Sequence, residues 1–424
     1  MEKEQNSLGK KTLYIPRMST GGAKAFAAAF RNLGIDARVV PEGDEITYEL
    51  AGKYMSGDEC LPARVTVGNF LKVLQAAGSD TSSIAVFMPT ASGPCRFGQY
   101  APVMRHILDD MGHSEVEVVS PSSANGYSGI GDLAGPVMKL GWLALAGSDA
   151  LRKMLHIYRP METEKGAADE AYERAMDIFC QEMEGAGASG TRAARLLSGA
   201  LEEARSIFRD VPVDRSRELT LIGVVGEIFC RLNVFSNEDL IRQIESFGGR
   251  AWLSDISEWV WYTDAERIKN LQRKNKTLSK EMAGAVIKRY FQKKYEKILL
   301  APLTGELSMM PEPHDIMEIL EPGEPYLPWY GSLGEMALST GKSVYLYEKG
   351  VDGIVDISPF TCMNGIVSEA VYPRISRDHE DIPIRSFYFD GTRSEVGNDL
   401  AVFMELAKNY NRKKTKKSPT GRVA

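Results

Sequence analysis

Three cysteines of this chain share one local setting. Cys60, Cys95 and Cys362 each lie in a loop that leads into a helical pattern, in the stretches GDECLPARVTVGNF, PTASGPCRFGQY and SPFTCMNGIVSEAV. The free N–H groups and the dipole at a helix N-terminus favour the thiolate form of cysteine. Three thiolates that meet from distant positions would suit a metal centre. Their spacing matches no zinc ribbon and no ferredoxin run, so spacing alone leaves buried free thiols as the alternative.

The other two cysteines have weaker signals. Cys180 lies in the middle of a predicted helix beside Ile178 and Phe179, which predicts a buried free thiol. Cys230, in GEIFCRLN, follows a predicted strand and could approach the same crevice, but no helix breaker or cap surrounds it. Five cysteines in a long chain without a secretion signal do not indicate a disulfide framework.

The sequence around these cysteines resembles a known family. The stretches GDECLPARVTVGNF, SGPCRFGQY, GEIFCRLNVFSNEDLIRQIESFGG and SPFTCMNGIVSEAV, followed by IPIRSFYFDG, are similar to the 2-hydroxyacyl-CoA dehydratase superfamily. They look most like its acyl-CoA dehydratase activase-related members, which occur alone or as the C-terminal part of long activase fusions. The resemblance runs in order over residues 12 to 410, roughly the whole chain.

The resemblance implies a cofactor and a set of residues that hold it. It implies an iron–sulfur cluster between two lobes, with Cys60, Cys95 and Cys362 as ligands. Relatives with a double-cubane cluster need about six cysteines, so five cysteines favour a single 4Fe–4S cluster. Gly93 would allow close backbone approach to the cluster, and Ser92, Arg96 and Gln99 would donate hydrogen bonds to its sulfides. These four residues flank Cys95 in the motif that carries the resemblance.

The resemblance also implies a function and partners. The expected protein accepts low-potential electrons from an ATP-dependent activator and reduces or dehydrates a small molecule, such as an acyl-CoA, as a reductase or lyase component. A homologous subunit or a second copy would complete it. The alternative is a metal-binding or scaffold partner of an activase with no catalysis of its own. Glu227 follows a predicted strand in VVGEIF, which favours a capping or structural carboxylate over a proton-handling one.

Alternating strand and helix patterns predict the elements that position these residues. They predict an α/β protein with two flavodoxin-like, Rossmann-like parallel-sheet lobes and a helical insertion between them. The strand SIAVFM ends shortly before Cys95, and GIVDIS ends shortly before Cys362. Ligands of open parallel sheets bind at the carboxyl ends of the strands. The expected boundaries are a first lobe over 12–125, a helical segment over 126–212, a second lobe over 213–410 and a disordered basic tail over 411–424.

Composition restricts the classes of partner. The chain has 424 residues, 43% of them hydrophobic and 25% charged, which is typical of a globular protein with more than one domain. Its formal net charge of −6 argues against a general nucleic-acid surface. No stretch has the length and composition of a membrane span or a signal peptide, so the expected location is the cytoplasm, without a membrane partner.

Overall fold

The strands form two separate parallel sheets. The computed structural model describes residues 7–91, 93–121, 128–392 and 396–417. The strands of the first sheet are β1 (Thr12–Ile15), β2 (Ala37–Val39), β3 (Ile84–Phe87) and β4 (Glu117–Val119). Those of the second sheet are β5 (Thr220–Gly226), β6 (Gly249–Leu253), β7 (Gly353–Pro359) and β8 (Ile384–Phe389).

The two sheets have the same topology. Their strand orders are β2-β1-β3-β4 and β6-β5-β7-β8, and every neighbouring pair is parallel. The central strands β3 and β7 are buried along their whole length, as expected when helices cover both faces of a parallel sheet. The predicted α/β class with two flavodoxin-like lobes is therefore confirmed.

Helices connect and cover the strands. The first lobe contains α1 (Thr20–Asn32), α2 (Glu45–Gly52), α3 (Leu61–Ala77) and α4 (Tyr100–Asp110). Three long helices follow, α5 (Ala134–Tyr158), α6 (Ala167–Gly185) and α7 (Gly190–Arg209). The second lobe begins with α8 (Ile228–Leu232), α9 (Leu240–Ser246), α10 (Ser257–Arg273), α11 (Lys280–Leu300) and α12 (Thr304–Leu307). It continues with α13 (Met317–Gly323), α14 (Glu335–Glu348), α15 (Met363–Asp378) and α16 (Val396–Lys417).

One apolar core crosses the molecule. It includes Ala28 of α1, Leu151 of α5, Phe179 of α6 and Leu299 of α11, and it continues to Ile375 of α15 in the second lobe. The helices between the two sheets therefore pack against both lobes, and burial of their apolar faces joins the lobes. Among the described residues, no helix is long and apolar enough to cross a membrane.

The C-terminal helix is longer than the sequence predicts. A disordered tail was expected from residue 411, whereas α16 continues to Lys417. Asn411 and Lys414 each donate a hydrogen bond to the buried carboxylate of Asp352, at 2.7 and 2.6 Å. Because this carboxylate needs polar partners in the interior, it anchors the last turns of the helix. Residues 418–424 lie outside the described part of the chain.

Buried charges join the helical insertion to the second lobe. Lys153 of α5 contacts Asp255, which follows β6, at 2.9 Å, and it also contacts Glu312. Lys342 of α14 is 1% exposed and contacts Glu258 of α10 and, at 2.7 Å, Glu312. Burial alone would raise the pKa of Glu312, but the two lysines hold it well below its usual range. The carboxylate of Glu312 therefore stays ionised, paired with two ammonium groups.

Glu296 lies near this network, and its titration should make the stability of the protein depend on pH. Burial and the nearby carboxylates of Asp255 and Asp149 raise the pKa of Glu296 from 4.5 to about 7. Because the folded-state pKa is the higher one, the stabilising contribution of Glu296 is complete below about pH 4.5. It is lost as the pH rises through 7. Glu296→Gln should therefore match the parent near pH 4.5 and be more stable at pH 8 by about 1–2 kcal/mol, allowing for partial solvation of the side chain.

Chemical denaturation at pH 4.5, 6, 7 and 8 measures this difference. Glu321→Gln, at an exposed position of α13, is the matched control and should follow the parent at every pH. A stability difference between Glu296→Gln and the parent that does not change with pH would contradict the assignment.

Candidate functional site

The three predicted ligand cysteines occupy equivalent positions in the fold. Cys60 is the N-cap residue of α3, and Cys362 is the N-cap residue of α15. Cys95 is the N-cap residue of the short 3-10 turn Arg96–Gln99 that leads into α4, and its Sγ accepts a hydrogen bond from the Phe97 N–H at 3.4 Å. Cys60 and Cys362 occupy their N-cap positions without such a side-chain hydrogen bond, although the free N–H groups of a first turn still favour a nearby thiolate.

The sheets position two of these cysteines at the same kind of edge. The loop with Cys95 leaves the carboxyl end of β3, and Cys362 follows the carboxyl end of β7. Glu227 follows the end of β5, the strand next to β7. The turn into Glu227 passes through Gly226, whose φ of 114° favours glycine. The candidate site therefore lies where strand ends of both sheets meet.

The Arg96 guanidinium joins the three cysteine loops. Its Nη1 donates to the Asp58 carbonyl oxygen at 2.6 Å, two residues before Cys60. Its Nη2 donates to both the carbonyl oxygen and Oγ1 of Thr361, each at 2.8 Å, directly before Cys362. Thr361 has a φ of 62°, a strained conformation for threonine that these two hydrogen bonds help to hold. Arg96 therefore positions loops from both lobes, and its hydrogen bonds to cluster sulfides stay a prediction.

The glycine beside Cys95 allows another close approach between the lobes. Gly93 has a φ of 131°, and a Cβ built on it would lie 2.5 Å from the Leu333 carbonyl oxygen. The neighbour that requires a glycine here is therefore the backbone before α14. Ser92, the other predicted neighbour of the cluster, lies outside the described residues.

Buried carboxylates surround the cysteines. Glu227 accepts hydrogen bonds from the Phe229 and Cys230 N–H groups at 2.9 and 2.7 Å, which confirms the predicted capping role. Burial raises the pKa of Glu227. Burial and the nearby Glu227 together raise the pKa of Glu335, the first residue of α14, to about 8. The carboxyl of Glu335 therefore carries a proton at neutral pH, next to the cysteines.

The thiols have raised pKa values for the same reasons. Burial raises the pKa of Cys60, although the hydroxyl of Tyr100, 2.7 Å from the Cys60 sulfur, opposes this shift. The side chain of Cys95 reaches solvent, yet partial desolvation and the carboxylates of Glu335 and Glu227 raise its pKa to about 11. Burial and Glu227 raise the pKa of Cys362 further. Without a metal, all three are neutral thiols near pH 7.

The two remaining cysteines differ. Cys230 is completely buried in α8, and burial and Glu227 raise its pKa well above 9, with further contributions from Cys362 and Cys60. Cys230 therefore lies next to the candidate site. The sequence left this open because no local pattern marks the position of Cys230. Cys180 is a buried free thiol in α6, as predicted.

The donor chemistry of the three cysteines can be compared with what a single metal ion and a multi-iron cluster each require. Among residues 7–91, 93–121, 128–392 and 396–417, no three His, Cys, Asp or Glu side chains form a group that could hold one metal ion. A multi-iron cluster takes each cysteine at a different iron, so its ligands need not converge on one point. Three helix-capping thiols on loops that Arg96 holds together match that requirement in donor chemistry.

Comparisons with known proteins add no relative. No protein-family model matches the chain, and no curated protein matches it.

The role of Arg96 as a loop-positioning residue can be tested without any cofactor. Arg96→Met removes the three hydrogen bonds to Asp58 and Thr361. Hydrogen bonds from a charged donor contribute about 1–2 kcal/mol, so backbone amides in residues 56–60 and 359–363 should exchange about tenfold faster. Hydrogen–deuterium exchange with mass spectrometry measures this. Arg377→Met, at an exposed position of α15, should leave both segments unchanged, and equal exchange in the two variants would contradict the role.

Proposed function

We propose that this protein is an iron–sulfur component that receives low-potential electrons from an ATP-dependent activator and uses them to reduce or dehydrate a small molecule, such as an acyl-CoA. The observation that carries the proposal is that Arg96 joins the loops of three helix-capping cysteines from two lobes. This is the arrangement expected for a cluster held at a lobe interface.

In this proposal the chain binds one 4Fe–4S cluster through Cys60, Cys95 and Cys362. The cluster supplies one-electron redox chemistry, and three cysteine ligands leave one iron free to take another ligand. The Phe97 N–H, which donates to the Cys95 sulfur, and the Tyr100 hydroxyl, 2.7 Å from the Cys60 sulfur, would tune the charge on these two ligands. Arg96 keeps the loops at a fixed separation through its backbone contacts.

In the proposed reaction, the buried carboxyl groups would hold protons and donate them. Loss of a hydroxyl group and reduction of a carbonyl compound both consume protons, so a proton donor near the cluster is useful. Glu335 carries a proton at neutral pH, and one of its oxygens, Oε1, accepts the Ile228 N–H at 2.9 Å. Its other oxygen is the position at which the carboxyl would hold the proton.

The ligand assignment predicts a pattern of iron binding. Anaerobic reconstitution of the parent should give a brown protein with about four irons per chain. Cys60→Ser, Cys95→Ser and Cys362→Ser should each lose most of the iron and of the visible absorbance, because serine is a poor ligand for iron in such clusters. Iron analysis and absorption spectra measure this outcome.

Cys180→Ser is the matched control, since Cys180 is a buried thiol in another part of the fold. It should keep the parent iron content. A parent protein that stays colourless after anaerobic reconstitution would overturn the proposal, and iron loss in Cys230→Ser would instead show that the site has a fourth cysteine ligand.

Electron acceptance can be tested separately from ligand binding. The reconstituted protein, mixed with an ATP-dependent activator of the dehydratase type, ATP and an electron donor, should develop the EPR signal of a reduced cluster. The signal should be absent when ATP is withheld, because the reduction needs energy coupling. Reduction followed by turnover of a 2-hydroxyacyl-CoA would identify a catalytic component. Binding of the activator without any change in the EPR spectrum would favour the scaffold alternative.

A further inference from the structure

A small apolar cavity lies beside Cys60. Its volume is about 160 Å³, and it lies between the first turns of α3 and α4. Ala63 and Val67, four residues apart on one face of α3, form one wall, and Val103 of α4 faces them. Met55 contributes a further apolar surface, and the cavity also borders Cys60. The small side chain of Ala63 is what leaves the space open.

Polar residues border one side of the cavity, although almost all of the cavity surface itself is apolar. Arg96 and Gln99, both exposed, line it together with Glu59. Arg96 also contacts Thr361 of the second lobe, so the polar side lies at the junction of the lobes. A molecule with an apolar end in the cavity would therefore extend its polar end toward the cysteine loops.

The size and lining of the cavity define the ligand. Apolar cavities of about 150 Å³ in proteins stay dry and bind benzene or xenon. A cavity of this size accepts a phenyl ring or a short branched alkyl group and excludes a fused bicyclic ring. Binding there is driven by removal of apolar surface from water, which favours hydrocarbon over polar groups.

We propose that the cavity formed by Met55, Ala63, Val67 and Val103 binds the hydrocarbon end of the substrate and limits it to about the size of a benzene ring. The identification of the occupant as a substrate rests on the function proposed above, whereas the apolar binding itself does not. Ala63 and Val67 are then the residues that set the size limit, and Cys60 places the bound group beside the proposed cluster.

Benzene binding to the metal-free protein tests the cavity. In methyl-resolved NMR spectra, the signals of Met55 and Val67 should shift in a saturable manner with benzene and should not shift with naphthalene. Ala63→Leu fills the cavity and should weaken benzene binding at least about tenfold. The matched control is Ala77→Leu, which makes the same change at an exposed position of α3 and should bind benzene like the parent.

A second variant covers the case in which Ala63→Leu fails to fold. Val67→Ala enlarges the cavity, so ethylbenzene should gain affinity relative to benzene by about fourfold per added methylene. No saturable shift in the parent, or equal benzene affinity in Ala63→Leu and Ala77→Leu, would overturn the inference. Benzene binding is measured without iron, so the two proposals can fail separately. If the protein binds benzene but never takes up iron, the apolar cavity is supported and the proposed iron–sulfur function is rejected. If the protein takes up iron but does not bind benzene, the iron–sulfur function is supported and the cavity proposal is rejected.

Discussion

The hydrogen bonds of the Arg96 guanidinium set the arrangement of the cysteine loops. Other contacts also cross between the lobes, such as Arg64 to the Asp390 carbonyl at 3.1 Å and Asn233 to the Arg17 carbonyl at 2.7 Å. The Arg96 contacts differ because they join the loops that directly precede Cys60 and Cys362. A planar guanidinium can donate in several directions at once and stays charged at every relevant pH. One side chain can therefore fix loops that are hundreds of residues apart in sequence.

The buried carboxyl groups near the cysteines have different charged neighbours from the buried carboxylate of Glu312. Glu312 and Glu335 are both surrounded by protein, yet the pKa of Glu312 is lowered and that of Glu335 is raised to about 8. Two lysines, Lys153 and Lys342, contact Glu312, whereas Glu227 is the largest charged influence on Glu335 after burial. The first arrangement is a complete ionic network. In the second arrangement, burial raises the pKa of both Glu227 and Glu335, and the positive charge of Arg231 opposes this shift only in part.

Local sequence patterns predicted one part of the site, and contacts between distant parts of the chain determine the rest. Local patterns predict strands such as β3 and β7, and they predict the helices that begin after Cys60 and Cys362. These patterns were sufficient to predict the fold and to place three cysteines at the starts of helices. The bond from Arg96 to Thr361 joins positions 265 residues apart, so no local pattern could reveal it. Cys230 has no flanking signal, and its burial depends on both lobes packing together. The helical extension to Lys417 depends on Asp352, which lies far away in sequence.

The acidic groups also connect metal binding with proton release. Iron binds thiolates, so loading the proposed site must remove protons from Cys60, Cys95 and Cys362, all of which are neutral in the metal-free protein near pH 7. A 4Fe–4S core with three thiolate ligands would be a net anion, which would disfavour ionisation of the nearby acids, whereas the two backbone N–H groups that Glu227 accepts favour its ionised form. The protonation of the carboxylates thus depends on the charge of whatever occupies the crevice. If the proposed cluster occupies the crevice, its reduction would favour proton uptake by these acids and its oxidation would favour proton release, so electron transfer and proton transfer would be coupled.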